Sequence, residues 1–208
     1  MRMLYDGSAE ARRLGAHPTL TAYRDDSVVP ESDRRRVSGW FVRYVGRREQ
    51  RALTAHVRAI GSARTVLDFR SGSGRWRPVI DLLNPTTVLE TDAEQLPYED
   101  ESVDLVFCHA VTQHLPHETQ AAVLGELGRV TRRHVICSFT IRAGIPGVAL
   151  RLRELALGRR SNAVSWGWLA RAAADANLHA VRARGCTSHL GAERSVLFSK
   201  VRPVVDGL

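Results

Sequence analysis

The side chains best placed for chemistry in this sequence stand at the ends of short apolar runs. Runs of this length that contain β-branched residues predict buried strands, and the residue that ends such a strand lies at one edge of the sheet. At that edge a carboxylate can accept hydrogen bonds from a ligand, and an imidazole titrates near neutral pH. The candidates are Asp68 after Thr65–Leu67, Glu90 and Asp92 after Thr86–Leu89, and Cys108 and His109 at the end of Asp104–Cys108.

A glycine-containing turn follows the first of these runs. Gly72 and Gly74 lie between Asp68 and a helical pattern that includes Val79. Pro78 fits the first turn of that helix, because the N–H group that proline lacks is not needed there. A strand–turn–helix junction of this kind lets the backbone approach a ligand closely, and the helix N-terminus favours negative charge. The sequence therefore predicts a ligand site at this junction.

His109 is the candidate general base, because it comes one residue after a predicted strand and should face the ligand crevice. His114 and His117 follow closely, which raises the question of a metal site. Spacings of five and three residues do not place all three histidines on one helical face, and no acidic partner is apparent in the sequence. We therefore predict no metal site and expect His114 to serve packing.

Strands that alternate with helices predict the elements that position these residues. Such alternation is typical of an open, parallel sheet covered by helices on both faces, with ligands beyond the carboxyl ends of the strands. The apolar spacing predicts helices over 36–60 and over His117–Val130, and we expect Gly46 and the charges after it to split the first. We predict that 180–183 and 195–201 close the sheet as an antiparallel pair.

Three segments, in this order, resemble motifs of the class I S-adenosylmethionine-dependent methyltransferases. They are the strand, acid and glycine turn of Thr65–Trp76, the stretch Asp92–Asp104, and the strand end with following helix of Phe107–Leu115. The resemblance covers residues 36–202 and implies an α/β fold with a Rossmann-like methyltransferase sheet and S-adenosylmethionine as cofactor. By position in the motifs, it implies cofactor contacts from Asp68, Gly72, Gly74 and Cys108.

Two departures from the family pattern bear on cofactor binding. Arg70 stands where the family turn usually has its first glycine, and it either fills part of the methionine pocket, swings away, or offers a guanidinium to an anionic group. Only 24 residues separate Asp68 from Asp92, so we expect the sheet to lack one strand–helix unit of the family. Two alignments follow: either Glu90 binds the ribose hydroxyls, or Asp92 and Ala93 contact the adenine edge and the ribose acid is absent.

Composition sets the class of protein. The chain has 208 residues, 44% of them hydrophobic and 25% charged, which is typical of one globular domain and excludes a disordered or fibrous chain. The polar stretch 1–35 is predicted to be an N-terminal arm or cap on a domain of residues 36–208. Three cysteines without CxxC spacing, and no apolar run of membrane-spanning length, predict a cytoplasmic protein.

Three functions compete on these observations. The first is methyl transfer to a small molecule, and the second is a methyltransferase-like protein that has lost methyl transfer and binds a partner or catalyses another reaction. The third, nucleic-acid methylation, rests only on the net charge of +8, and no Asn-Pro-Pro-aromatic motif follows Phe107, where His109–Val111 stand instead. We favour the first and expect a small-molecule substrate and no nucleic acid. Because a missing strand–helix unit exposes sheet edge, we also expect a homodimer.

Overall fold

The computed structural model describes residues 40–69, 74–91, 96–158, 161–186 and 191–201. The predicted N-terminal arm lies outside these residues. So do four of the predicted cofactor contacts, namely Arg70, Gly72, Asp92 and Ala93.

Six strands form one sheet in the order β2-β1-β3-β4-β6-β5. Strands β1 to β4 run parallel to one another, whereas β6 runs antiparallel to both β4 and β5. This arrangement confirms the predicted parallel sheet and its antiparallel closing pair. The strands are β1 (Thr65–Phe69), β2 (Thr87–Thr91), β3 (Val103–Cys108), β4 (Thr131–Thr140), β5 (His179–Gly185) and β6 (Glu193–Ser199).

Among the described residues, five α-helices connect and cover these strands: α1 (Trp40–Ile60), α2 (Arg77–Ile80), α3 (His117–Val130), α4 (Gly144–Leu157) and α5 (Trp166–Asp175). The expectation that α1 splits at Gly46 was wrong, because the helix is continuous. A β-carbon at Gly46 would lie 3.4 Å from the Arg75 guanidinium, which is an ordinary van der Waals distance. No helix in the described part of the chain is long and apolar enough to cross a membrane.

The sheet separates two apolar cores, because side chains alternate between its faces along each strand. Val66, Leu105 and Phe107 point to the side covered by α1 and α2, where they pack with Leu53 and Val57 of α1. The other face packs against α3 and α5, through residues that include Leu67, Val106, Leu124, Leu127 and Leu169. Each layer of helices therefore has its own core, and the parallel strands are buried between them.

The region between β1 and β3 is short. Among its described residues, 74–91 and 96–102, it contains one strand, the four-residue helix α2 and a 3₁₀ turn over Asp81–Leu83. Asn84 ends this turn in the left-handed conformation, with φ of 49°. As a result β2 is an edge strand that pairs only with β1 among the described strands, and it is partly exposed. The sheet therefore lacks one strand–helix unit, as the short interval predicted.

Candidate functional site

The carboxyl ends of β1, β2 and β3 bring predicted site residues to one edge of the sheet. Asp68 is in register with Glu90 of β2 on one side and with Phe107 of β3 on the other. Partners in register on parallel strands point to the same face, so the carboxylates of Asp68 and Glu90 face the side covered by α1. Asp68 is buried and Glu90 is exposed, so this edge offers one enclosed and one accessible carboxylate.

The turn that leads into α2 starts at Gly74, which adopts a φ of 67° that favours glycine. The carbonyl of Gly74 accepts a hydrogen bond from the backbone N–H of Arg77 at 2.9 Å, which closes the turn. No atom of the described residues lies within 4 Å of the position that a β-carbon of Gly74 would take, so none of them closes the turn on this side.

Arg75 fixes this turn to α1. Its guanidinium donates a hydrogen bond to Glu49 of α1 at 2.8 Å and lies 4.4 Å from the centre of the Trp76 ring. The Trp76 side chain is buried against the core beneath α1. The end of β1, the turn and α1 therefore form one packed unit.

His109 lies beneath this unit. Its ring meets the Trp76 ring edge-on at a centroid distance of 5.1 Å, and its Nε2 atom is 3.8 Å from a carboxylate oxygen of Glu49. The His109 side chain has no exposed area, and neither ring nitrogen has a hydrogen-bond partner among the described residues. Access to this imidazole therefore requires a movement of Trp76 or of α1.

The loop after His109 is held in an unusual conformation. Ala110 has a positive φ of 62°, which strains a residue with a β-carbon. The backbone N–H of Ala110 donates to the hydroxyl of Ser138 on β4 at 2.8 Å, and the Thr112 hydroxyl donates to the Ser138 carbonyl. These bonds from β4 stabilise the strained turn and with it the position of His109.

Buried polar groups continue along the inner face of α1. Nε2 of His56 donates to the Ser195 carbonyl of β6 at 3.1 Å. The pKa of His56 is lowered from 6.5 to about 4, mainly by burial and to a smaller extent by the positive charges of Arg184 and Arg182, against the opposing effect of the Ser195 hydrogen bond. Burial also raises the pKa of the Cys186 thiol, so this cysteine is not an activated nucleophile.

Comparisons with known proteins agree with this architecture. A family model described as methyltransferase domain matches residues 38–139. The chain is similar to the magnesium protoporphyrin IX methyltransferase of Synechocystis PCC 6803, solved with bound S-adenosylhomocysteine, at 17% identity and a TM-score of 0.64 over 87% of this chain and 99% of that one. Residues 38–139 therefore carry a methyltransferase domain, in a chain with the fold of the class I S-adenosylmethionine-dependent methyltransferases.

Two further methyltransferase structures show the same fold. The 1,6-didemethyltoxoflavin-N1-methyltransferase of Burkholderia thailandensis matches with a TM-score of 0.60 and 14% identity, over 88% of this chain and 89% of that one. A possible histamine N-methyltransferase of Thermotoga maritima matches with a TM-score of 0.53 and 16% identity, over 85% of this chain and 97% of that one. The comparison with curated protein sequences gave no match.

In this methyltransferase domain the predicted site residues fall into three groups. Asp68, Glu90 and Gly74 lie together at the carboxyl edge of β1 and β2. The side chain of Cys108 packs in the core on the α3 side, so only its backbone is placed to meet a ligand. His109 lies at the same edge but is buried beneath Trp76.

The sequence did not indicate the partners of His109. Glu49 of α1 and Glu193 of β6 each offer a carboxylate oxygen, and these oxygens and a His109 nitrogen lie within 4.8 Å of one another. This donor set has the types that a divalent transition metal accepts. Glu49 also forms an ion pair with Arg75, so a positive charge already lies beside these two carboxylates and His109. Glu49 and Glu193 are distant from His109 in sequence, and nothing in the sequence around either residue distinguishes it from an ordinary surface glutamate.

Proposed function

We propose that the protein is a methyltransferase that transfers the methyl group of S-adenosylmethionine to a small molecule. The observation that carries the proposal is the register of Asp68 with Glu90, beside the open turn at Gly74. Together these give a buried acid, an accessible acid and a glycine turn at the carboxyl ends of two adjacent parallel strands. Ligands of open α/β sheets bind at such an edge.

The chemistry of these residues fits the cofactor. The exposed Glu90 carboxylate is an acceptor for the two ribose hydroxyls, and the Gly74 turn leaves room for close approach of the amino-acid portion beside Asp68. When bound, S-adenosylmethionine supplies an electrophilic methyl group on a positively charged sulfur. The protein's own task is to position the acceptor in line with that group and to exclude water. In the second alignment, Asp92 and Ala93 contact the adenine edge.

A small-molecule acceptor is supported by the relatives. Two of them are methyltransferases named for magnesium protoporphyrin IX and for 1,6-didemethyltoxoflavin, both small molecules. His109 remains the proposed general base. Because its side chain is fully buried, the base role requires that acceptor binding moves the Trp76 ring or α1.

Calorimetric titration with S-adenosylmethionine and S-adenosylhomocysteine tests the cofactor site. We expect binding by the wild-type protein and at least about tenfold weaker binding by Glu90→Gln, which loses a charged hydrogen-bond acceptor. The matched control is Asp175→Asn, which removes an exposed carboxylate at the end of α5. Absence of binding by the folded wild-type protein would favour the alternative, a methyltransferase-like protein that has lost methyl transfer.

The proposal includes a cytoplasmic location and a homodimer. Three buried free cysteines suit a reducing compartment. An apolar stripe on α4, formed by Ile145, Val148, Leu152 and Leu155, is 62 to 73% exposed and has the helical spacing of a packing face. Light scattering at micromolar concentration tests the dimer, and a monomeric mass would refute it.

A further inference from the structure

The outer face of α1 carries a row of arginines. Arg47, Arg51 and Arg58 are exposed, and their spacing of four and seven residues places them on one side of the helix. Glu49 and His56 lie on the opposite, buried side. The row spans 11 residues of helix, or about 16 Å at the α-helical rise.

This row forms one wall of a groove, and Arg182 of the exposed edge strand β5 stands on the other side. The groove has a volume of about 640 Å³. Small side chains between the arginines, Thr54, Ala55 and Ala59, leave space for a ligand. Four guanidinium groups therefore border one concave surface.

The positive charge of this groove is not neutralised by the described part of the chain. No acidic side chain is among the described residues that line it. None of these four arginines forms a hydrogen bond or an ion pair with another described residue. By contrast, Arg75, Arg129 and Arg142 each form an ion pair with a carboxylate. Arg182 also contributes to lowering the pKa of His56, after the larger effect of burial, which indicates that its field reaches into the protein.

The shape of the groove separates two kinds of anionic ligand. Its volume falls in the range of small-molecule sites. Single-stranded nucleic acids are bound on aromatic side chains that stack with the bases, and no aromatic residue is among the described residues lining the groove. The size and the lining therefore favour a compact ligand over a nucleic-acid strand.

We propose that this groove binds a small polyanion that carries at least two phosphate or carboxylate groups. Guanidinium groups bind either anion through paired hydrogen bonds, and four of them around one space favour several anionic groups in one molecule. A neighbouring cavity shares Arg47 and Gln50 with the groove and reaches Arg75 and Trp76. Because Arg75 is already engaged by Glu49, the binding centre lies in the groove itself. The proposal does not depend on methyl transfer.

Calorimetric titrations with sodium tripolyphosphate and with citrate, at low and at high salt, test the site. We expect the wild-type protein to bind at least one of these anions, more weakly at high salt because the groove is open to solvent. Arg51→Glu/Arg58→Glu should weaken binding at least about tenfold, since two donors are replaced by repelling charges. Arg51→Gln/Arg58→Gln should weaken it in the same direction and to a smaller extent.

The matched control is Arg153→Glu/Arg171→Glu, which makes the same charge change at exposed arginines of α4 and α5 outside the groove. It should change the affinity by less than about twofold. Equal losses in both double variants would overturn the proposal, as would failure of the wild-type protein to bind either anion. Tight binding of a single-stranded oligonucleotide without binding of either small anion would also overturn it. S-adenosylhomocysteine titrated in parallel should bind all these variants alike, so loss of the cofactor site is distinguishable.

Discussion

His56 should make the stability of the protein depend on pH. The structure buries this imidazole completely on the inner face of α1 and lowers its pKa from 6.5 to about 4, so the folded protein holds it neutral above about pH 4. In the unfolded chain the same group takes up a proton near pH 6.5. The unfolded state therefore binds more protons as the pH falls from 6.5 towards 4, and stability is lost over that range. For these two pKa values, the loss between about pH 7.5 and about pH 5 is about 2 kcal/mol.

The measurement is urea unfolding, followed by tryptophan fluorescence at both pH values, for the wild-type protein and for His56→Gln. Glutamine keeps a donor for the Ser195 carbonyl and removes the titration, so the variant should lose about 2 kcal/mol less than the wild type over the same interval. Burial also lowers the pKa of His134, but that effect is present in both proteins and cancels in the difference. An equal loss in the two proteins would refute the conclusion that His56 is held neutral.

Further predictions concern packing, backbone anchoring and thiol access. Gly128→Ala should destabilise the fold by about 1 to 3 kcal/mol in chemical unfolding, because the new β-carbon would lie 2.4 Å from the Ala176 carbonyl oxygen. Gly125→Ala on the same helix meets nothing within 4 Å and should be neutral or stabilising; a comparable loss there would contradict the packing of α3 on α5. Asp104→Ala should cost about 2 to 4 kcal/mol, because its carboxylate accepts two backbone N–H bonds at the start of β1, and an unchanged urea midpoint would rule this out. A thiol reagent should leave the buried Cys186 unmodified until urea is added, and rapid labelling of the native protein would contradict its burial.

Local patterns explain why much of the fold could be predicted. The amphipathic spacing from His117 to Val130 predicted α3 with the bounds that the structure has. The wrong expectation at Gly46 came from treating glycine and charge as helix breakers. The helix is nevertheless continuous from Trp40 to Ile60, and the packing of Leu53 and Val57 against the sheet outweighs a local preference of about 1 kcal/mol.

The edge that carries Asp68 and Glu90 could be predicted because parallel strands bring their ends together whatever the details of packing. The partners of His109 could not. Glu49 lies on α1, before β1 in the chain, and Glu193 lies on β6, more than 80 residues after His109. Only the folded topology brings both carboxylates close to His109. The burial of His109 under Trp76 has the same origin, since a residue one position past a strand can face either the crevice or a covering helix.

The structure of the protein crystallised with S-adenosylhomocysteine tests the central claim most directly. The account predicts the ribose hydroxyls within hydrogen-bonding distance of the Glu90 carboxylate and the amino-acid portion beside Asp68 and the Gly74 turn. A ligand bound elsewhere, or crystals grown at saturating ligand with none at the carboxyl ends of β1 and β2, would contradict it.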